Sequence, residues 1–193
     1  MNTGLVFRTL VLLVLISGPA FAEGPFGLRM GMTPDEVGLD HEEIQRGLYK
    51  FPTAPQPHSG FEYYILKFAP TTGLCWIKGV GVNIQDSAYG VALRSGFTSL
   101  KEQISKVYGQ SKDMDMLLPG SIWNEPRDYM MALVKNERIL VSTWDVDGKR
   151  DLKQVGLMAS ALRRDVGFLG LEYSFTNKDA CDEELKALES QVF

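Results

Sequence analysis

Two histidines, two cysteines and a surplus of carboxylates are the groups in this sequence that could do chemistry. His41 is followed by Glu42 and Glu43, side chains that can ligate a metal. On a helix those three fan out in different directions, so the run reads as a solvated face and not as a zinc site. No His-Glu-x-x-His occurs, which removes the common zinc-hydrolase arrangement. Ser121 lies in Pro119-Gly120-Ser121-Ile122-Trp123, a turn entering a strand. It has no Gly-x-Ser-x-Gly elbow, and a triad would need His41 or His58 within hydrogen-bond reach. Cys75 beside a histidine could form a thiol nucleophile, but a sulfur bonded to Cys181 cannot attack. Gly79-Val80-Gly81 fails the dinucleotide fingerprint because Ile84 stands where a third glycine is needed. Asp145-Val146-Asp147-Gly148 starts like a calcium loop, but no glutamate closes it, so a polar turn is the expectation. Glu62, Glu125, Asp128 and Glu172 could supply a glycosidase-type carboxylate pair, a matter their separation in space decides. No catalytic residue, metal ligand or cofactor site is assigned.

One segment has the composition of a contact surface. Trp123-Asn124-Glu125-Pro126-Arg127-Asp128-Tyr129-Met130-Met131 groups aromatics, an arginine and two methionines around a proline. These types are enriched at protein interfaces, so Trp123, Glu125, Arg127 and Tyr129 are candidate interface residues. The competing reading is that Trp123, Tyr129 and one methionine fill the core and only the turn between them is exposed.

The start of the chain constrains where such a surface would work. Arg8, the apolar run Leu10 to Ile16, the breakers Gly18-Pro19 and the triplet Ala20-Phe21-Ala22 have the three parts of a secretory signal peptide. The run is shorter than the roughly 20 apolar residues of a spanning helix. Residues 1–22 are therefore expected to be removed, leaving one domain over residues 23–193 in the periplasm or outside the cell. Its length is enough for a sizeable core. The chain has 24 acidic and 20 basic residues, a balance that lacks the basic footprint of a nucleic-acid binder. Arg163-Arg164 and Lys149-Arg150 are short basic pairs at turns or edges. An even cysteine count in an oxidising compartment favours a Cys75–Cys181 disulfide; two buried thiols are the alternative.

The elements that must position these residues follow from pattern. Thr33 with Glu36 makes a capping box, and Pro34 stands at the first helical position. Asp40 with Glu43 could restart that helix towards Leu48. Pro52 to Gly60 is a loop. Phe61 to Phe68 and Leu74 to Ile84 read as strands. On the second, Leu74, Trp76, Val80 and Val82 are assigned to one face, and Cys75, Ile77, Gly79 and Gly81 to the other. Phe97, Leu100, Ile104, Val107 and Tyr108 have helical spacing, with Ser95 as cap and Gly109 as terminator. Tyr129 to Val134, Arg138 to Trp144, Val155 to Leu162 and Gly167 to Phe175 read as further strands. A last helix from about Asp179 places Cys181, Leu185, Leu188 and Val192 on one face. The order hints at two half-units, near residues 33–85 and 96–144.

The stretch Phe26-Gly27-Leu28-Arg29-Met30-Gly31-Met32-Thr33-Pro34-Asp35-Glu36-Val37 resembles the G-x-x-x-G-M-T-x-x-E-V opening of an uncharacterised family of exported bacterial proteins. It also resembles the opening of the SmpA/OmlA-like outer-membrane assembly lipoproteins and of β-lactamase-inhibitor-like domains. That resemblance implies a helix pair on an antiparallel sheet, binding to other proteins, and a Gram-negative source. The chain lacks the lipobox cysteine of the lipoprotein group and is longer, with a strand-rich second half.

The combined expectation is an α+β fold with an antiparallel sheet of about five to seven strands and helices packed on one face. The expected function is a non-catalytic exported envelope protein that binds another protein or an envelope component, with no nucleic-acid partner and no stable membrane insertion. A small-ligand carrier and a carboxylate-dependent hydrolase are the alternatives.

Overall fold

A computed structural model describes residues 24–146 and 148–190. The expected signal peptide at 1–22, Asp147 of the polar turn and Val192 of the last helix lie outside the described residues. The strands are β1 (Glu42–Gln45), β2 (Leu48–Phe51), β3 (Phe61–Ala69), β4 (Gly73–Gly81), β5 (Ile84–Gln85), β6 (Lys112–Leu117), β7 (Arg138–Asp145), β8 (Leu152–Arg163) and β9 (Val166–Phe175). The helices are α1 (Pro34–Val37), α2 (Val91–Tyr108), α3 (Tyr129–Val134) and α4 (Lys178–Ser190).

Among the described residues, the nine strands belong to one antiparallel sheet in the order β1-β2-β3-β4-β9-β8-β7-β6, with β5 paired to β9. The architecture is α+β as expected, but the strand number exceeds five to seven. The uncounted strands are short or polar. The β6 sequence Lys-Asp-Met-Asp-Met-Leu is exposed along most of its length and has no apolar stripe to announce it. The sheet divides at bounds other than the expected 33–85 and 96–144: β1–β4 and β6–β9, the latter running to Phe175, are meanders joined at the β4–β9 seam and linked by α2.

One face of the sheet, called inner here, carries the main core. Leu66, Ile77, Val155, Leu157, Leu171 and Phe175 from the strands meet Leu93, Phe97 and Ile104 of α2. Fully burying each such side chain is worth about 1.5–3 kcal/mol. The opening segment plugs the same core. Leu28 is fully buried, and the Phe26 ring meets Phe61, Tyr64 and Tyr173 edge-on at 5.4, 4.8 and 5.6 Å. The capping box forms as expected: the Thr33 N–H donates to Glu36 Oε2 (2.8 Å), and the Glu36 N–H to Thr33 Oγ1 (3.3 Å).

Four local expectations are corrected. The helix restart at Asp40 is instead the β1–β2 hairpin, because Tyr49 and Phe51 are strand formers that pair with β3. The segment Tyr129–Val134 is a helix, not a strand: Tyr129, Met130, Ala132 and Leu133 are buried, a 3.6-residue rather than a two-residue period. Pro126 starts the short 3-10 turn that leads into it. Ser95 does not cap α2, which begins at Val91. There Asp86 reaches forward, accepting from the Leu93 N–H at 2.7 Å. Burial is the largest influence on Asp86 and pushes its pKa up, but hydrogen bonds from Leu93, Ser87 and Ala92 outweigh it and hold the carboxyl below its ordinary value.

The fourth correction concerns β4. A bulge opposite Lys67 and Phe68 makes Cys75 an extra residue, so strict alternation fails there. Leu74 joins Ile77 in the main core, while Cys75 turns with Trp76 towards the opposite, outer side. Cys75 and Cys181 sit at disulfide-bonding distance with Cα atoms 6.3 Å apart. Helix α4 therefore packs from the outer side, not with the other helices, where Leu185 joins Ala69 and the two cysteines in a second small cluster.

The β3–β4 turn is held from several directions. The Gly31 N–H donates to Leu74 O (2.9 Å), and the Leu74 N–H to Met32 O (2.7 Å). Glu184 of α4 accepts from the Thr71 and Thr72 N–H groups at 2.7 and 3.0 Å. Asn177 Nδ2 donates to Thr72 O and Leu74 O. Gly73 has φ +69, and a Cβ there would lie 2.2 Å from Gly31 O. Gly73→Ala is expected to cost about 2–4 kcal/mol by urea denaturation. Gly120→Ala, with similar φ but open space around it, should cost less. The cysteines enclose a long loop, with a sequence separation of 106. Cys75→Ser/Cys181→Ser is expected to lose about 2–5 kcal/mol in the same assay, and reductant should then have no further effect.

Candidate functional site: the outer face of the sheet

Residues directly opposite one another in a sheet share a face, so the register defines the outer surface row by row. One row runs Leu48, Lys67, Trp76, Ser174, Gln154, Asp145. The next runs Glu42, Lys50, Ile65, Lys78, Glu172, Gly156, Thr143, Lys112. The third runs Tyr63, Val80, Gly170, Met158, Val141, Met114. Beyond it, Met116 faces Ile139 at the β6 end. The outer face thus carries a charged row across the sheet and, from β3 to β6, an apolar row beside it. Helix α4 covers only its β3–β4 end. Met114, Met116 and Ile139 are 47%, 41% and 37% exposed.

At the β1–β4 end this surface dips into an open trough of about 630 Å³. Ile44, Leu48, Ile65, Trp76, Val80 and Phe168 supply its apolar lining, with Tyr63 at the side; Lys67, Lys78, Lys178 and Glu172 are its charged groups. The charges are organised. Lys78 Nζ lies 2.9 Å from Glu172, a neutral pair. Lys67 and Lys178 both bond to Asp182, so two cations share one anion. Burial is the largest influence on Asp182 and raises its pKa, but the hydrogen bonds from Lys178 and Lys67 prevail and hold it below the ordinary carboxylate value.

The residues singled out by sequence fall at separate places. His41 stacks on Phe51 at 5.0 Å between ring centroids, and its Nδ1 lies 2.9 Å from Leu39 O. His58 Nδ1 accepts from the Gly60 N–H at 3.0 Å. Both rings serve local packing at the β1–β3 edge. Ser121 follows β6, at the opposite edge, and its Oγ accepts from the Trp123 N–H. Of the four carboxylates, Glu172 reaches the trough. Glu62 is the extra residue of a β3 bulge, and Glu125 and Asp128 flank the turn before α3. They do not converge on one another. Among the described residues, no three His, Cys, Asp or Glu side chains converge as a metal site would require. The same residues include no helix long and apolar enough to cross a membrane.

The candidate interface cluster is divided as well. Tyr129 is buried, with the guanidinium groups of Arg94 and Arg138 over its ring at 4.8 and 4.4 Å from the centroid. Trp123 is half-buried, while Glu125 and Arg127 are exposed. Helix formation turned Tyr129 inward, so the four do not make one surface. Sequence reasoning missed the trough because its lining comes from five separate strands plus α4. Alternation along β3, with Tyr63, Ile65 and Lys67 between core residues, was the signal available.

No family model, curated protein or solved structure matches the chain.

The edge strand β6 is tied to the inner layer by Asp113. Its carboxylate accepts from Ser111, Ser142 and Lys101. The Ser111 and Ser142 hydroxyls are the main causes that lower its pKa to about 2; burial opposes them and Lys101 assists. A depressed folded pKa stabilises the protein above the unfolded value, and that stability is lost as pH falls from about 4 to about 2. Asp113→Ala is expected to flatten this acid limb of the stability–pH profile. It should also cost about 1–3 kcal/mol at neutral pH, because the buried Ser142 hydroxyl loses its partner. Urea denaturation at stepped pH checks both.

Proposed function

We propose that the protein is a non-catalytic binding protein of the bacterial envelope, exported by residues 1–22, that docks another protein or an envelope component on the outer face of its sheet. The observation that carries this reading is the uncovered outer face. Helices fill the inner side, but along the third outer row Met114 is exposed and Tyr63, Met158 and Val141 are half-buried, with Met116 and Ile139 exposed beside them at the β6 end. Exposed apolar surface of this extent marks an interaction site. The resemblance of the opening segment to protein-binding envelope domains agrees with it. The cysteine pair suits an oxidising compartment.

The trough gives specific support to a second reading, a small-ligand carrier, since its volume lies in the range of ligand sites. The carboxylate-hydrolase reading has less behind it. A general acid needs a raised pKa, yet the described carboxylates with shifted values, Asp86, Asp113, Asp145, Asp182 and Glu184, are all pushed down.

A photo-cross-linking amino acid placed singly at Met158 or Val141, and at Val107 on the exposed side of α2 as control, tests the binding face in cells. Discrete adducts are expected from the two outer positions and none from Val107. Equal labelling from all three positions, or none from any, overturns the reading.

A further inference from the structure

We infer that the outer-face trough binds a single-chain anionic amphiphile, its head group against Lys67 and Lys178 and its chain over Trp76, Ile65 and Tyr63. This deepens the binding reading above and rests on the outer face being the face that binds. Three observations meet here. First, the charge is uneven. Lys78 is balanced by Glu172 at 2.9 Å, but among the described residues Lys67 and Lys178 share Asp182, a trio with one positive charge in excess. Both lysine side chains are largely covered, with 25% and 29% exposure, so this charge is less screened than that of a free surface lysine.

Second, an apolar path leads away from Lys67 and Lys178 and passes between Lys78 and Lys50, whose Nζ lies 4.6 Å from the centre of the Tyr63 ring. Trp76 lies beside Lys67 in the register, Ile65 is two residues along β3, and Tyr63 with its partner Val80 is two further. From Lys67 to Tyr63 is ~14 Å of strand, the reach of about ten methylenes. Third, the trough is open to solvent at its top and its volume of about 630 Å³ suits a ligand of this size. A cationic or zwitterionic head would meet like charge at the α4 end. A purely apolar ligand would leave the excess lysine charge without a counterion.

Helix α4 supplies Lys178 and Asp182, so the disulfide and the Glu184 contacts with the β3–β4 turn fix the head-group end. The chain end is formed by the sheet itself. Head-group selectivity and chain length are therefore read by different elements and can be changed separately.

The test uses the exported chain, residues 23–193, titrated calorimetrically with laurate, dodecyl phosphate, dodecanol and dodecyltrimethylammonium below their aggregation concentrations, with Trp76 fluorescence as a second signal. Laurate and dodecyl phosphate are expected to bind with one-to-one saturation and to perturb Trp76, with the cationic analogue at least tenfold weaker. Trp76→Phe should remove the fluorescence change. Lys67→Gln/Lys178→Gln leaves Asp182 alone and should reverse the preference towards the cationic amphiphile. Asp182→Asn frees both lysines and should tighten laurate severalfold, a gain that misfolding cannot imitate. Equal binding of anionic and cationic chains, no saturable binding of either anion, or an unchanged preference in the lysine double variant overturns the inference. Cross-linking from Met158 and Val141, which lie outside the trough lining, separates the two failures. If those adducts persist while laurate does not bind, the amphiphile site falls and the binding face stands.

Discussion

The β3–β4 turn is where the two sides of the molecule are joined. From the inner side, the opening segment pairs with it through Gly31, Met32 and Leu74. From the outer side, α4 reaches it with Glu184 and the bond between Cys181 and Cys75, and Asn177 reaches it from just before the helix. Each device alone is modest: a neutral hydrogen bond is worth about 1 kcal/mol net. Their concentration on a few residues matters more, because Gly73 and Gly31 must approach backbone to backbone for all of them to form together. Without that approach the opening segment would not carry Phe26 and Leu28 into the core, and α4 would not lie against the end of the trough.

The β4 bulge makes this possible. In a regular strand Cys75 would alternate with Leu74 and Trp76, and Cys75 and Trp76 would point to opposite sides. The extra residue lets Leu74 stay in the main core while Cys75 and Trp76 both serve the outer side. One irregularity thus supplies the anchor for α4 and the aromatic floor of the trough. The cost is a locally disrupted ladder, offset by the burial of Leu74 and by the tie to α4.

The sequence made some of this legible and not the rest, for physical reasons. Apolar alternation announced β3 and β9, and helical spacing announced α2, because packing against one core imposes both periods. The inward position of Cys181 was likewise readable from its helix face, and its proximity to Cys75 from the even cysteine count and the compartment that the opening residues lead one to expect. The strand β6 was not, since an edge strand stabilised by Asp113, Asp115 and Lys112 through ion pairs has no apolar stripe. Nor was α3, although Met130, Met131, Ala132 and Leu133 are helix formers: an unbroken apolar run of six residues from Tyr129 to Val134 fits a buried strand equally well by pattern. The trough depends on register between five strands, which no local window contains. Its lysines look, one at a time, like ordinary surface charges.

The placement of those lysines also accounts for the difference between the two layers. On the inner side, carboxylates answer a structural need: the half-buried Asp86 accepts from the Leu93 N–H in the first turn of α2, and Asp113 satisfies the buried Ser142 hydroxyl. On the outer side, the Lys67–Asp182–Lys178 arrangement satisfies no buried backbone group, and α4 is already held by Glu184, Asn177 and the cysteine pair. Lys67 and Lys178 are partly covered and Asp182 is 37% exposed, so one such pair adds on the order of 1 kcal/mol, and a second lysine on the same carboxylate adds less still while bringing the two cations together. Stability alone gives little reason for the third charge. Its position, between the anchored helix and an apolar groove open to solvent, is where an arriving negative head group would complete the pairing.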